Sequence, residues 1–135
     1  MSDTEKMTRD LYATFVRGDM VSLLDAMHPE IVWISNNDTD TFPWGGKRNG
    51  RDGAASFFKA LSDNMTFTTF EPRQFFPGRD FCVVMGFTAA TLNSNGLPVQ
   101  SEWMHLFCYA GDQLTFFREF YDTKAVAEAF LMAAR

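Results

Sequence analysis

The residues of this chain best suited to proton transfer are His105 and Glu119, fourteen positions apart. They lie in segment 101–123, which reads as two strands joined by a tight turn around Gly111. A three-residue loop at 111–113 would place His105 opposite Glu119, whereas a two-residue turn would place it opposite Arg118 and move the carboxylate outward. We expect the first register, because it groups the pair with Phe107. An imidazole and a carboxylate that meet on one sheet face can move a proton, or can satisfy each other as a structural pair.

Other side chains could surround this pair and contact a ligand. Strand alternation puts five aromatic residues of segment 101–123 on the face of the pair. Further candidates are a tyrosine in the first helix, a tryptophan in the first strand, and residues of the loop at 36–50. Core packing is the more frequent explanation for the aromatic residues, and turn chemistry explains the loop residues Asn36 and Asp38 just as well as a ligand contact. The ligand-contacting candidates are Tyr12, Trp33, Asn36, Trp44, Trp103, Phe107, Phe117 and Tyr121.

The elements that must position these residues follow from periodicity. Met7, Leu11 and Phe15 predict a first helix that Gly18 ends. A second helix follows Asp19, with an apolar face from Met20 to Met27, and is stopped by Pro29. A strand at 30–35, a long loop at 36–50 that could act as a lid, and a helix from about Asp52 come next. Strands at 65–76, 81–92, 98–110 and 113–121 precede a last helix, capped by Asp122 or Thr123, that docks Val126, Ala129, Phe130 and Ala133. This order predicts an α+β fold with helices on one face of a curved sheet.

Composition limits the classes of function. The 135 residues fit one domain spanning 1–135, and the net charge of −5 with no basic stripe argues against nucleic-acid binding. No apolar run is long enough for a membrane span, and the charged N-terminus does not resemble a signal peptide, so we expect a cytoplasmic protein. No Cys or His cluster has metal-ligand spacing, so we expect neither a metal nor a cofactor. The 16% aromatic content is unusually high for a plain core; core packing is the more frequent explanation, and Phe-rich interiors also line cavities or cover dimer faces.

Three segments carry a resemblance that covers nearly the whole chain: RGDMVSLLDAMHPEIVW (17–33), RNGRDGAASFF (48–58) and EWMHLFCYAGDQLTFFREFYDT (102–123). With the order of elements, they resemble the SnoaL-like branch of the nuclear-transport-factor-2-like (NTF2-like) superfamily, which also holds ketosteroid isomerases. The resemblance implies a cone-shaped, mostly antiparallel sheet around an apolar pocket, and a homodimer formed through the outer sheet face. It does not fix the reaction, because this fold hosts enzymes and binding proteins alike.

Only some of the catalytic residues known in this superfamily have counterparts in this chain. Ser35 falls near the place where ketosteroid isomerases carry their base Asp, and Leu11, beside Tyr12, falls near their helix-one Tyr. Epoxide hydrolases of this fold need an Arg-x-Asp motif where this chain has Trp103-Met104-His105. SnoaL-like polyketide cyclases use a His and an acid fourteen residues apart on late strands, and His105 and Glu119 match that spacing, with Glu in place of Asp.

The sequence therefore predicts a cofactor-free enzyme that isomerises, cyclises or hydrates a small lipophilic carbonyl compound in an aromatic-lined pocket. His105 and Glu119 are its expected catalytic residues. Two other functions stay open: a non-catalytic dimeric binding protein for a small apolar ligand, and an interaction domain whose cavity is filled by its own Phe side chains.

Overall fold

The computed structural model describes residues 2–36 and 42–132. Asp38, Ala133 and part of the expected lid lie outside these residues. The elements in chain order are α1 (Asp3–Val16), α2 (Met20–Asp25), β1 (Met27–Ser35), β2 (Gly46–Asn49), α3 (Gly50–Asn64), β3 (Met65–Pro77), β4 (Phe81–Leu92), β5 (Pro98–Ala110), β6 (Gln113–Tyr121) and α4 (Thr123–Leu131). Within the described residues, no helix is long and apolar enough to cross a membrane.

The sheet is six-stranded, in the order β2-β1-β6-β5-β4-β3. Every neighbouring pair is antiparallel except β1 and β6, which run parallel. Helix α3 packs against β1, α4 against β5, and α1 against β3 and β4. The helices and the inner sheet face enclose the aromatic core. This curved, unclosed mixed sheet with helices is the α+β architecture that the sequence predicts.

The second helix is shorter than predicted. Asp19 caps α2 as expected, since its side chain accepts the backbone N–H of Ser22 at 3.1 Å. The helix ends at Asp25, however, and Met27 and Pro29 lie in β1 rather than at the helix end. The cause is tertiary: the carbonyl of Ala26 accepts the backbone N–H of Leu114 at 3.0 Å, so the chain leaves the helix early to join β6.

The predicted loop at 36–50 contains a strand. Residues Gly46–Asn49 form β2 and pair with the edge of β1 from Ser35 to Val32. Gly46 and Gly50 have φ values of 87° and 75°, which let the chain turn into β2 and out of it into α3. Helix α3 therefore begins at Gly50, slightly before the predicted Asp52. A short edge strand rich in Gly and Asn has the composition of a loop, and only its partner strand makes it a strand.

The β5–β6 hairpin reaches the predicted register by a different route. Ala110 pairs with Gln113, so the turn has two residues and not the predicted three. A bulge then shifts the register between the Tyr109–Leu114 and Cys108–Phe116 pairs, and Thr115 is the extra residue. Beyond the bulge His105 pairs with Glu119, as predicted. The predicted pairing is confirmed, and the three-residue loop is wrong.

Candidate active site

The predicted pair lies on the inner face of the sheet. His105 is 6% exposed, and its Nε2 lies 3.5 Å from Oε2 of Glu119. This separation is longer than an ordinary hydrogen bond between a ring N–H and a carboxylate. Burial lowers the pKa of His105, and the nearby carboxylate of Glu119 opposes that effect in part. Its imidazole is therefore neutral at neutral pH.

A tyrosine from α1 completes the imidazole's contacts. The hydroxyl of Tyr12 lies 2.7 Å from Nδ1 of His105, and both groups are buried. Burial, and next the negative potential of Cys82, raises the pKa of Tyr12 well above its usual value, so the phenol keeps its proton. The sequence suggested Tyr12 as a ligand contact. In the structure its hydroxyl contacts the candidate catalytic base or acid itself.

Glu119 is held from the opposite side by a serine. Ser35 ends β1 directly beside Glu119 in the parallel β1–β6 ladder, and its hydroxyl donates a hydrogen bond to Oε1 of Glu119. Ser35 is fully buried. The sequence prediction did not include it among the site residues. The available signal was its alignment with the base of the ketosteroid isomerases, which places position 35 at the site whatever residue occupies it.

The indole of Trp103 covers one face of the imidazole. Their ring centroids are 3.8 Å apart and the planes are inclined by 14°. The indole N–H donates to the hydroxyl of Thr88 at 2.7 Å, which fixes the ring. Trp103 pairs with Gly86 of β4, and a β-carbon at Gly86 would lie 2.3 Å from the indole. The missing side chain at Gly86 is thus what allows the indole to lie flat across β4.

The remaining aromatic candidates surround the pair. Phe107 and Phe117 meet His105 edge-on, and Trp33 stacks on Phe117 with centroids 3.8 Å apart. The indole N–H of Trp44 donates to the hydroxyl of Tyr121 at 3.1 Å. Burial, and next the charge of Glu119, raises the pKa of Tyr121.

Asn36 differs from the other candidates. Its backbone N–H reaches the carbonyl of Glu119 at 3.3 Å, and its side chain reaches the carbonyl of Tyr121 at 3.5 Å. It is not among the residues that line the cavity, so its observed contacts hold the ends of β1 and β6 together.

A cavity of about 130 Å³ lies between the inner sheet face and the helices. Its volume is close to the ~150 Å³ of an engineered protein cavity that takes up benzene. His105 and Glu119 lie in its wall, together with Tyr12, and most of the other lining residues are apolar. The predicted ligand contacts that line it are Tyr12, Trp33, Trp44, Trp103, Phe107, Phe117 and Tyr121. Among residues 2–36 and 42–132, no three His, Cys, Asp or Glu side chains group as metal ligands would.

Comparison with known proteins agrees with this architecture. The family model of the SnoaL-like domain matches residues 8–117. An NTF2-like protein of Burkholderia xenovorans LB400 has a similar structure, with a TM-score of 0.85 and 24% identity over 94% of this chain and 95% of that one. A Rhodopseudomonas palustris protein provisionally named as an isomerase has a TM-score of 0.79 and 18% identity over 96% of both chains.

A third similar structure is a Mesorhizobium loti protein provisionally named as a SnoaL-like polyketide cyclase. Its TM-score is 0.72, with 12% identity over 90% of this chain and 100% of that one. No curated protein matches the chain. At these identities the structural likeness concerns the fold.

Proposed function

The chain belongs to the SnoaL-like domain family, and we propose that it is a cofactor-free acid–base catalyst acting on a small lipophilic carbonyl compound. The proposed step is proton transfer at the carbon next to the carbonyl group. Double-bond isomerisation, aldol-type cyclisation and hydration of a conjugated double bond in such compounds all proceed through that step or its reverse.

The observation that carries the proposal is the position of two groups in one cavity wall. Nε2 of His105 and Oε2 of Glu119 lie 3.5 Å apart. The oxygen of a carbonyl group and its α-carbon are two bonds apart, so a donor and a base at this spacing can address both atoms at once. Glu119 removes the α-proton, and the C–H electron pair forms the carbon–carbon double bond of an enol or enolate. His105 donates a hydrogen bond to the oxygen on which negative charge develops.

The surroundings suit this chemistry. A hydrogen bond to a developing oxyanion contributes on the order of 10²–10³ in rate when water is excluded. A positioned general base adds about 10²–10⁴. The lining of the cavity is mainly apolar, and the hydrogen bond from Ser35 fixes one oxygen of Glu119 while the other stays next to His105.

The cavity restricts the substrate to small, largely apolar molecules. A volume of about 130 Å³ favours a compound of one or two rings over a steroid. The provisional names of the R. palustris and M. loti proteins, isomerase and polyketide cyclase, are consistent with carbonyl chemistry in this fold.

The test is exchange of α-hydrogens for deuterium in small cyclic ketones such as 2-tetralone and 1-indanone, followed by NMR in D₂O. We expect the protein to accelerate exchange, and Glu119→Gln to lower the rate at least about 100-fold. His105→Leu, which removes the hydrogen-bond donor, should lower it by about 10²–10³. Glu102→Gln, on the outer face of the same hairpin, is the matched control and should leave the rate unchanged. Acceleration that survives both site substitutions would refute the proposal.

The second candidate function is a binding protein that carries a small apolar ligand without changing it. The mainly apolar lining of the cavity supports it. In that case ketones would bind, exchange would not be accelerated, and the ligand would be recovered unchanged.

We also propose that two copies associate through the outer sheet face. An apolar patch there consists of large side chains that are 40–50% exposed: Phe76, Phe81, Met85, Met104 and Phe120. Met85, Met104 and Phe120 are direct cross-strand neighbours on β4, β5 and β6, so they form one continuous row. A contiguous apolar surface of this kind is a mark of an interface. A second copy, related by a two-fold axis, would cover it with the same row.

A further inference from the structure

The two ring nitrogens of His105 have different partners. Nδ1 lies 2.7 Å from the hydroxyl of Tyr12, and Nε2 lies 3.5 Å from Oε2 of Glu119. We infer that Tyr12 is a positioning residue that fixes the imidazole in the tautomer protonated at Nε2. The substrate then meets His105 as a hydrogen-bond donor, and Glu119 is the only base of the pair. The assignment of roles rests on the proposed function, whereas the tautomer itself does not.

Hydrogen-bonding capacity decides between the two tautomers. A neutral imidazole has one N–H and one lone pair, and a carboxylate can only accept. If Nδ1 carried the proton, the lone pair of Nε2 would face the lone pairs of Glu119 and nothing would bind it. If Nε2 carries the proton, it faces Glu119, and Nδ1 accepts the hydroxyl proton of Tyr12. Only the second arrangement uses every group, and the short Tyr12 contact then is an ordinary O–H···N hydrogen bond.

The ring cannot easily escape this arrangement by turning over. Trp103 stacks on one face of the imidazole, and Phe117 meets it edge-on with centroids 5.0 Å apart. A half-turn about the bond from Cβ to the ring would point carbon atoms at Tyr12 and Glu119 and lose both polar contacts. The aromatic neighbours therefore fix the orientation of the ring, and Tyr12 fixes which nitrogen holds the proton.

The tautomer protonated at Nε2 makes His105 the hydrogen-bond donor of the pair and Glu119 the base. Nδ1 is occupied by Tyr12, so Nε2 is the one nitrogen that a ligand in the cavity can approach. An Nε2–H group gives a hydrogen bond to a carbonyl oxygen but takes no proton from carbon. A neutral imidazole keeps its proton more tightly than an imidazolium would. It therefore stabilises an enolate by a hydrogen bond and does not transfer its proton to it.

The experiment is measurement of the ¹⁵N shifts and long-range ¹H–¹⁵N couplings of the imidazoles in ¹⁵N-His-labelled protein at pH 8. His28→Gln assigns the two histidines. We expect His105 of the wild-type protein to show a protonated Nε2 and an unprotonated, hydrogen-bonded Nδ1. In Tyr12→Phe, the Nδ1 signal should move towards that of a nitrogen without a hydrogen-bond donor, and protonated Nδ1 should become detectable.

Tyr109→Phe is the matched control. Tyr109 is another buried tyrosine, and its hydroxyl is hydrogen-bonded to Thr8 at 2.7 Å, so its loss costs the fold a comparable contact. It should leave the His105 signals unchanged. A protonated Nδ1 in the wild-type protein, or identical His105 signals in Tyr12→Phe and wild type, would overturn the inference.

The kinetic part of the test separates this inference from the proposed function. In the ketone exchange assay, Tyr12→Phe should lower kcat about tenfold, equivalent to one lost hydrogen bond of ~1.4 kcal/mol, with KM changed less than about threefold. Equal kcat values in Tyr12→Phe and Tyr109→Phe would refute the positioning role. If no ketone is exchanged at all, the proposed function fails, and the tautomer measurement still decides the role of Tyr12.

Discussion

Gly86 controls how Trp103 covers the site, and Gly86→Ala tests that relation. A β-carbon at Gly86 would lie 2.3 Å from Cζ2 and 2.4 Å from Cη2 of Trp103, and 2.6 Å from the carbonyl oxygen of Glu71. Carbon atoms in favourable contact are about 3.5–4.0 Å apart, so the indole must move by more than 1 Å. The indole is buried, and the contact atom of Glu71 is a backbone oxygen, so neither neighbour can move without a cost in free energy.

The expected cost has two parts. Overpacking a well-filled core costs about 1–3 kcal/mol. Moving the indole also breaks its hydrogen bond to Thr88, which contributes about 0.5–1.5 kcal/mol. The free energy of unfolding should therefore fall by about 1.5–4.5 kcal/mol, and for a chain of this size the melting temperature should fall by roughly 10 °C. Because the indole no longer stacks on His105, ketone exchange should slow as well.

Chemical denaturation followed by circular dichroism measures the stability change, and near-ultraviolet circular dichroism reports the tryptophan environment. Gly96→Ala is the control: Gly96 has a positive φ, of 72°, unlike Gly86, and a β-carbon there would contact nothing. The free energy of unfolding of the Gly96→Ala protein should fall by about 1–2 kcal/mol because of backbone strain. Its tryptophan signal and its ketone exchange rate should be unchanged.

A double-mutant cycle isolates the clash. Phe lacks the two indole atoms that a β-carbon at Gly86 would strike, so Gly86→Ala should cost clearly less in a Trp103→Phe background. The clash with Glu71 keeps that cost above zero. Strictly additive effects of the two substitutions would refute the reasoning, and so would a Gly86→Ala protein as stable as the wild type.

Two further predictions concern pH and assembly. Burial lowers the pKa of His105, so below about pH 6.5 the unfolded chain binds a proton that the native protein does not. The contribution of the neutral His105 to the free energy of unfolding should therefore be fully present above that pH. It should fall as the pH decreases towards the native pKa, by at most about 1.4 kcal/mol per pH unit. Urea denaturation from pH 7.5 to 5.5 measures this dependence, and His105→Gln should flatten it. For assembly, light scattering should show a dimer that Met104→Lys, in the outer apolar patch, converts to monomer, whereas Val21→Lys on the exposed side of α2 does not. A monomeric wild type, or a dimer that tolerates Met104→Lys, would contradict the proposed interface.

Long alternating strands were the most predictable part of the chain. The predicted bounds of β4, β5 and β6 agree with the structure, because their apolar alternation is interrupted by clear turns at both ends. The bounds of α2 and the existence of β2 were not predictable in this way. Both depend on partners far along the chain: Leu114 for the residues after α2, and β1 for β2.

The sequence predicts the part of the site that lies on one hairpin. It does not predict the contacts that other helices and strands make with that hairpin. His105 and Glu119 share a hairpin, so counting residues was enough to pair them. Tyr12 and His105 are 93 positions apart, and Ser35 and Glu119 are 84 apart. Their hydrogen bonds depend on how α1 lies over the sheet and on the parallel pairing of β1 with β6, and no local pattern encodes either.

The bulge at Thr115 makes the fourteen-residue separation of His105 and Glu119 compatible with two hairpin designs. A two-residue turn with one bulged residue and a three-residue loop without a bulge give the same pairing beyond that point. One inserted residue in the turn is therefore silent if Thr115 is deleted at the same time. With the same number of residues, a two-residue turn without the bulge would instead bring Arg118 opposite His105 and reverse the sign of the charge beside the imidazole. The pairing of the histidine with the acid therefore depends on the sum of turn residues and bulged residues, which is three here, and not on the length of the turn alone.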